Sequence, residues 1–158
     1  MGRAGDGIPA FLESVVGGRW ADHVPGWSRY ERFDACVMHF SAGDTSIRSL
    51  GAPLNTTGWD GDFFIARDES YIIMSANETK DFECELHISF RKPDGGWTAP
   101  MSLGPLINDG MAHRWGEYVT PDGRYLFYTR ATSPKDCHLY WVRFDGLLER
   151  MRAGLVTR

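Results

Sequence analysis

The sequence predicts an all-β chain made of repeated antiparallel units, and three observations carry that expectation. First, Ser49-Leu50-Gly51-Ala52-Pro53-Leu54-Asn55 returns 53 residues later as Ser102-Leu103-Gly104-Pro105-Leu106-Ile107-Asn108. Second, two further blocks follow in the same order. Asp68-Glu69-Ser70-Tyr71-Ile72-Ile73-Met74-Ser75 is answered after 54 residues by Asp122-Gly123-Arg124-Tyr125-Leu126-Phe127-Tyr128-Thr129, and Cys84-Glu85-Leu86-His87 after 53 by Cys137-His138-Leu139-Tyr140. Blocks that keep their order and spacing mark a duplicated supersecondary unit. Third, the apolar runs are short, rich in aromatic and β-branched residues, and separated by turn chemistry, as strands are.

The elements follow in order. Phe63-Phe64-Ile65-Ala66 and Tyr71-Ile72-Ile73-Met74 flank Arg67-Asp68-Glu69-Ser70 as a tight hairpin. Their apolar runs are nearly continuous, which fits strands covered on both faces. Leu86, Ile88 and Phe90 share one face of a third strand, because strand side chains alternate. Lys92-Pro93-Asp94-Gly95-Gly96 is a turn, and a fourth strand is expected from about Trp97 to Met101. In the next unit Tyr118-Val119-Thr120 and Tyr125-Leu126-Phe127-Tyr128 flank Pro121-Asp122-Gly123-Arg124, with a third strand at Leu139-Tyr140-Trp141-Val142. Pro121, Asp122 and Gly123 are read as structural turn residues. An earlier, degenerate unit is expected where Val37-Met38-His39-Phe40-Ser41 precedes the first Leu-Gly block and Gly17-Gly18-Arg19-Trp20 echoes Gly95-Gly96-Trp97. From Asp145, apolar residues fall at helical spacing through Leu147, Leu148 and Met151, so a short amphipathic helix closes the chain.

Four short antiparallel strands per unit describe a propeller blade. The fold class is therefore an all-β partial β-propeller of about three blades with a short C-terminal helix. Residues 1–48 form an incomplete first blade, 49–101 the second, 102–144 the third and 145–158 the helical tail, all within one domain.

Tyr118-Val119-Thr120-Pro121-Asp122-Gly123-Arg124-Tyr125-Leu126-Phe127-Tyr128 with Leu139-Tyr140, and Phe64-Ile65-Ala66-Arg67-Asp68-Glu69-Ser70-Tyr71-Ile72-Ile73 with the strand and Gly96-Trp97 turn behind it, resemble the WD40-like repeat (PD40) family of TolB-like β-propellers. Coverage runs from about Leu50 to Phe144. Arg67 stands where the family usually has Pro, and Thr120 where it has Ser. The resemblance implies a fold and little chemistry. Relatives usually carry six blades and are often periplasmic or exported, some in envelope complexes and some gating peptidases. Because each blade buries its faces only against its neighbours, three blades alone would leave apolar sheet faces open. Either self-association or a missing N-terminal half is expected to close the ring, and truncation on the N-terminal side is the favoured expectation.

Composition narrows the partners. The 158-residue chain is 42% hydrophobic and carries a net charge of -4, with Lys and Arg scattered. That gives no electrostatic footprint for nucleic acid. No apolar run approaches the roughly 18 residues of a membrane helix, and residues 1–9 lack the apolar core of a signal peptide. Localisation is not specified. Three cysteines make no disulfide framework. Cys36 with His39, Cys84 with His87, and Cys137 with His138 suggest a metal, but residues three apart on a strand face opposite ways. The thiols are therefore read as buried structural groups on the third strand of each blade, and no metal site is assigned.

No nucleophile elbow or triad pattern is present, so no catalytic residue is assigned. The best-motivated binding positions are the loops that lead into the first strand of a blade, at the channel mouth. They read Asn55-Thr56-Thr57-Gly58-Trp59-Asp60-Gly61-Asp62 and Asn108-Asp109-Gly110-Met111-Ala112-His113-Arg114-Trp115. Trp59, Asp60, Asp62, His113, Arg114 and Trp115 are the candidate ligand-binding residues, being rich in interface hot-spot types. Trp59 and Trp115 have an alternative role filling the gap between blades. Asp60 and Asp62 offer a Ca²⁺ position in the channel, without the regular ligand spacing of a Ca²⁺ loop, and no other cofactor is expected. The leading expectation is a non-enzymatic module that binds a protein or small ligand. The alternative is part of a hydrolase, either gating a peptidase or cleaving glycans with a pair drawn from Asp60, Asp62, Glu69 and Glu117.

Overall fold

A computed structural model describes residues 13–14, 35–38, 47–55, 59–79 and 83–156. Among these, three antiparallel sheets form in chain order, followed by a helix. The first comprises β1 (Glu13–Ser14), β2 (Cys36–Met38) and β3 (Ile47–Ser49). The second is a four-stranded meander of β4 (Trp59–Ile65), β5 (Tyr71–Thr79), β6 (Glu83–Phe90) and β7 (Met101–Ser102). The third contains β8 (His113–Val119), β9 (Tyr125–Ser133) and β10 (Asp136–Arg143), after which α1 (Asp145–Val156) closes the described chain. Of the first-unit readings, Gly17 to Trp20 and His39 to Ser41 lie outside the described residues.

The repeated sequence blocks make repeated hydrogen bonds. In the two hairpins Ala66 N–H donates to Tyr71 C=O at 3.0 Å and Thr120 N–H to Tyr125 C=O at 2.9 Å. The carboxylates of Asp68 and Asp122 each accept from the main-chain N–H two residues on, Ser70 and Arg124, both at 3.1 Å. Gly123 holds φ 72° at the position where the earlier turn places Glu69 at φ 55°, so both turns need the left-handed conformation that glycine adopts without steric cost.

The Ser-Leu-Gly blocks work as clamps. Asn108 Oδ1 accepts from Leu86 N–H at 2.9 Å while its Nδ2 donates to Leu86 C=O at 2.9 Å and to Ser102 Oγ at 2.7 Å. Asn55 does the same to Ala35, accepting from its N–H at 2.7 Å and donating to its C=O at 3.0 Å, and also bonds Ser49 Oγ at 2.7 Å. Leu103 N–H and Leu50 N–H complete each clamp on Leu86 C=O and Ala35 C=O. Ala35 is thus the counterpart of Leu86, and Cys36 that of His87, since these pair with Ser49 and Ser102. The reading that places Val37 to Ser41 before the first Leu-Gly block as Leu86 to Phe90 stands before the second sets Val37 opposite Leu86, two residues out of register, because β2 is too short to fix a period by its apolar residues alone.

The fourth strand of the second unit also differs from expectation. Trp97 makes a single bridge to Arg91, and pairing with β6 resumes only at Met101 and Ser102. Between them Pro100 has no N–H to give, and the Thr98 hydroxyl accepts from Phe90 N–H at 3.0 Å. The third unit has three strands rather than four, because the chain turns into α1 after β10. The Asp145 carboxylate accepts from Gly146 N–H at 2.8 Å at the start of that helix. Acidic residues suit the positive end of a helix dipole. Leu147, Leu148, Met151 and Leu155 pack its apolar side on the core.

The second sheet is covered on both faces. Tyr71, Ile73, Leu86, Ile88 and Phe90 meet Leu103, Ile107, Val119, Leu126, Tyr128 and Phe144. On the opposite face Ile72, Met74 and Ala76 pack with Leu54 and Trp97. Each fully buried aliphatic side chain of this kind contributes about 2 kcal/mol. The third sheet departs from the pattern. Tyr118 is 51%, Leu139 69% and Trp141 61% exposed. The expectation of buried thiols holds for Cys36 and Cys84, whereas Cys137 is exposed on β10.

Candidate functional site

The candidate positions lie in strands, not in the loops expected. Trp59, Asp60 and Asp62 belong to β4, and His113, Arg114 and Trp115 to β8. Each is the first strand of its sheet and an outer strand of it. Of Trp59 and Asp60 the backbone alone is described.

Both strands carry irregular register near their glycines, Gly61 in β4 and Gly116 in β8. Gly116 has φ 66°, and a Cβ there would stand 3.6 Å from Thr129 Oγ1, an ordinary contact. It is backbone conformation, not space, that asks for glycine there. A bulge inserts one residue and so breaks the strict alternation of a strand. As a result Arg114 and Glu117, three apart, are both buried. The exposed Gly116 N–H donates to Asp62 Oδ2 at 3.0 Å and ties β8 to β4.

Arg114 was expected to be offered to a ligand, but it is 1% exposed. Nε donates to Ile107 C=O at 2.8 Å, Nη1 to Cys84 and Ala112 C=O, and Nη2 to Asp109 and Gly110 C=O. Asp109 Oδ1 balances the charge at 3.1 Å and accepts a second bond from Arg130 Nε at 3.2 Å. The Arg114 hydrogen bond, with the Arg130 charge, holds the Asp109 carboxyl below the usual range. This guanidinium fastens the loop from Ile107 to Ala112 and has no free edge for a partner.

Glu117 is also buried, and burial pushes its carboxyl up to about 8, with the negative charge of Asp62 adding to the effect. It is therefore mostly neutral at pH 7. Ser75 Oγ stands 2.8 Å from Arg114 C=O and 3.2 Å from Glu117 Oε1. Its single proton serves one acceptor at a time. Donation to Arg114 C=O leaves the hydroxyl free to accept from a protonated Glu117. Glu117 Oε2 has no hydrogen-bond partner among the described residues.

The surface part of the site is Asp62, His113 and Trp115, all half-buried. The rings of His113 and Trp115 lie 5.0 Å apart, tilted by 55°. Glu69 sits in the turn beyond the other end of β4 and takes no part. Among the described residues, no group of three or more His, Cys, Asp or Glu side chains comes together to hold a metal ion, so the Asp60 and Asp62 position gains no ligand set. Asp122 accepts from Arg124 N–H inside its turn. Sequence reasoning missed Ser75 and Asp109. It named Glu117 among four carboxylates but not the feature that sets it apart, its occupation of the repeat position filled by Phe63 in the preceding unit.

These features define an antiparallel all-β protein in which β4 and β8 are tied at Asp62 and Gly116, next in the chain to the paired rings of His113 and Trp115. Among the described residues no helix is long and apolar enough to cross a membrane. Comparison with protein-family models finds no match, and searches of curated proteins and of solved structures return none.

Proposed function

We propose that the chain is a portion of a TolB-like β-propeller that acts as a non-enzymatic binding module, taking a protein or a small ligand where β4 and β8 begin. Supporting this reading, the second and third sheets repeat one another at 53 to 54 residues with the same turns. The observation that carries it is the Asp62–Gly116 bond, which joins the first strands of two successive sheets, as strands that line a common axis would be joined. Asp62 accepts from Gly116, the neighbour in the chain of Trp115, whose ring lies 5.0 Å from that of His113; acidic and aromatic residues so combined have the composition of an interface hot spot.

The test is capture of a partner by the full chain followed by titration of that partner, once identified, against His113→Ala/Trp115→Ala. Binding weaker by tenfold or more, with an unchanged unfolding midpoint, supports the site. Unaltered affinity removes it.

Glu117 favours a second reading, a glycan-cleaving hydrolase. A carboxyl kept neutral by burial, with a second acidic side chain close enough to raise it further, is the arrangement of a general acid and its partner. In this reading Glu117 is the acid and Asp62 the second carboxylate. Chromogenic glycoside turnover that is abolished in a folded Glu117→Gln variant supports it, and absence of turnover in the native chain rejects it.

A further inference from the structure

We propose that the open edge of β10 is a docking site for a segment of the pattern Ser-Leu-Gly-x-x-(Leu or Ile)-Asn, a short strand that runs into a turn, bound by strand addition and an asparagine clamp. The inference is independent of the propeller reading, because it rests on two filled copies of the same receptor within this chain.

In the filled copies, one residue, Leu86 within β6 and Ala35 just before β2, presents both main-chain groups outward. Leu86 receives Asn108 and Leu103, and Ala35 receives Asn55 and Leu50. The apolar residue before each asparagine, Ile107 or Leu54, is 0% exposed beneath its clamp. Leu103 and Ile107 pack on the face formed by Leu86, Ile88, Tyr71 and Ile73.

The third copy of the receptor is Leu139, 53 residues after Leu86. Phe144 N–H donates to Arg124 C=O across to β9 at 2.7 Å. Antiparallel pairing alternates inward and outward along a strand, so Leu139, Trp141 and Arg143 turn their main-chain groups to the open side. Among the described residues β10 has no strand on that side. The apolar face that the incoming segment would cover is open as well. Tyr71, Ile73, Leu86 and Ile88 correspond to Tyr125, Phe127, Leu139 and Trp141, and both Leu139 and Trp141 are mostly exposed. An unfilled edge and an uncovered face thus coincide where the two earlier units hold this motif. Main-chain pairing supplies affinity in such strand addition, and the side-chain pockets supply specificity. The occupant proposed is a partner's segment of this pattern; residues 49–55 and 102–108 are themselves engaged at Ala35 and Leu86.

The experiment titrates a fluorescently labelled peptide with the sequence of residues 100–109 against the full chain. It is followed by amide hydrogen exchange of the complex. Saturable binding is expected, with new protection at Leu139, Trp141 and Arg143. A peptide with the Asn108→Ala change should bind about tenfold or more weakly, since it lacks two clamp bonds. Trp141→Lys, a change at an exposed position, should weaken binding while leaving the unfolding midpoint in place. Absence of saturable binding, equal binding of the alanine peptide, or faster exchange at Leu86 with none of the protection on β10 would each overturn the proposal. The last result would mean that the peptide displaces the resident clamp.

Discussion

Asn108 holds Leu86 by both of its main-chain groups, Oδ1 on the N–H and Nδ2 on the C=O, each at 2.9 Å. A side-chain amide in this position does the work of a neighbouring strand residue, and it does so where β7 is only two residues long. Asn108→Ala removes these bonds and the one to Ser102 Oγ. At about 1 kcal/mol for each net hydrogen bond, a loss of roughly 2–3 kcal/mol is expected in urea unfolding. Asn108→Asp should cost a similar amount, because a carboxylate cannot donate to Leu86 C=O. A change within 0.5 kcal/mol for both variants would show that water replaces the clamp.

The hairpins, the turns and the C-terminal helix were legible because each rests on local chemistry: Asp-Gly and Asp-Glu turns, nearly continuous apolar runs on either side of them, and apolar residues at helical spacing after Asp145. The clamp was legible only as a repeated block, since nothing in Ser-Leu-Gly-x-x-Leu-Asn says that the asparagine reaches another strand. Arg114 was misplaced for a related reason. Arginine is rarely buried, and only the loop carbonyls of Ile107, Asp109, Gly110 and Ala112, converging in space, explain its burial here. The short β2 and the missing fourth strand of the third unit lay beyond periodicity, which cannot set register in three residues or foresee that the chain runs on into α1 without adding a fourth strand.

Glu69 and Gly123 occupy equivalent turn positions at φ 55° and 72°. A residue with a Cβ in the left-handed region carries a cost of about 1–2 kcal/mol that glycine avoids. The greater freedom of glycine in the unfolded chain offsets part of this. Glu69→Gly is therefore expected to stabilise the chain by about 0.5–1 kcal/mol, and Gly123→Ala to destabilise it by about 1 kcal/mol. Denaturant midpoints measured side by side check both signs. Destabilisation by Glu69→Gly would assign the Glu69 side chain a compensating contact.

Arg114 is the largest fully buried side chain of the described residues. Arg114→Met keeps much of its volume but strands the carbonyls of Ile107, Ala112 and Gly110 without their donor. Leaving a buried carbonyl without its donor costs about 1–3 kcal/mol, so a loss of roughly 3–5 kcal/mol is expected for the three together. Arg114→Lys should recover only part of this, because a single ammonium cannot span the fork of acceptors. Thermal unfolding of both variants gives the order wild type, Lys, Met. A lysine variant equal to wild type would mean that charge, not the fork, holds the loop.

Glu117 makes stability depend on pH in a direction opposite to that of most carboxylates. Its carboxyl titrates at about 8 in the folded chain against an ordinary value of 4.5. Between these values the folded state binds the proton and the unfolded state has released it, so stability declines as pH rises from 4.5 to about 8 and levels off above. Glu117→Gln keeps a neutral side chain at every pH and removes this slope. Relative to wild type the variant should gain about 2–4 kcal/mol between pH 4.5 and pH 8.5, the order of magnitude that such a shift carries. Asp62→Asn should reduce the slope without abolishing it, because burial is the larger cause and the Asp62 charge the smaller. Urea unfolding at a series of pH values measures both effects. Parallel stability curves for wild type and Glu117→Gln would mean that Glu117 is ionised in the folded chain and reaches water, which would also withdraw the neutral carboxyl on which the hydrolase reading depends.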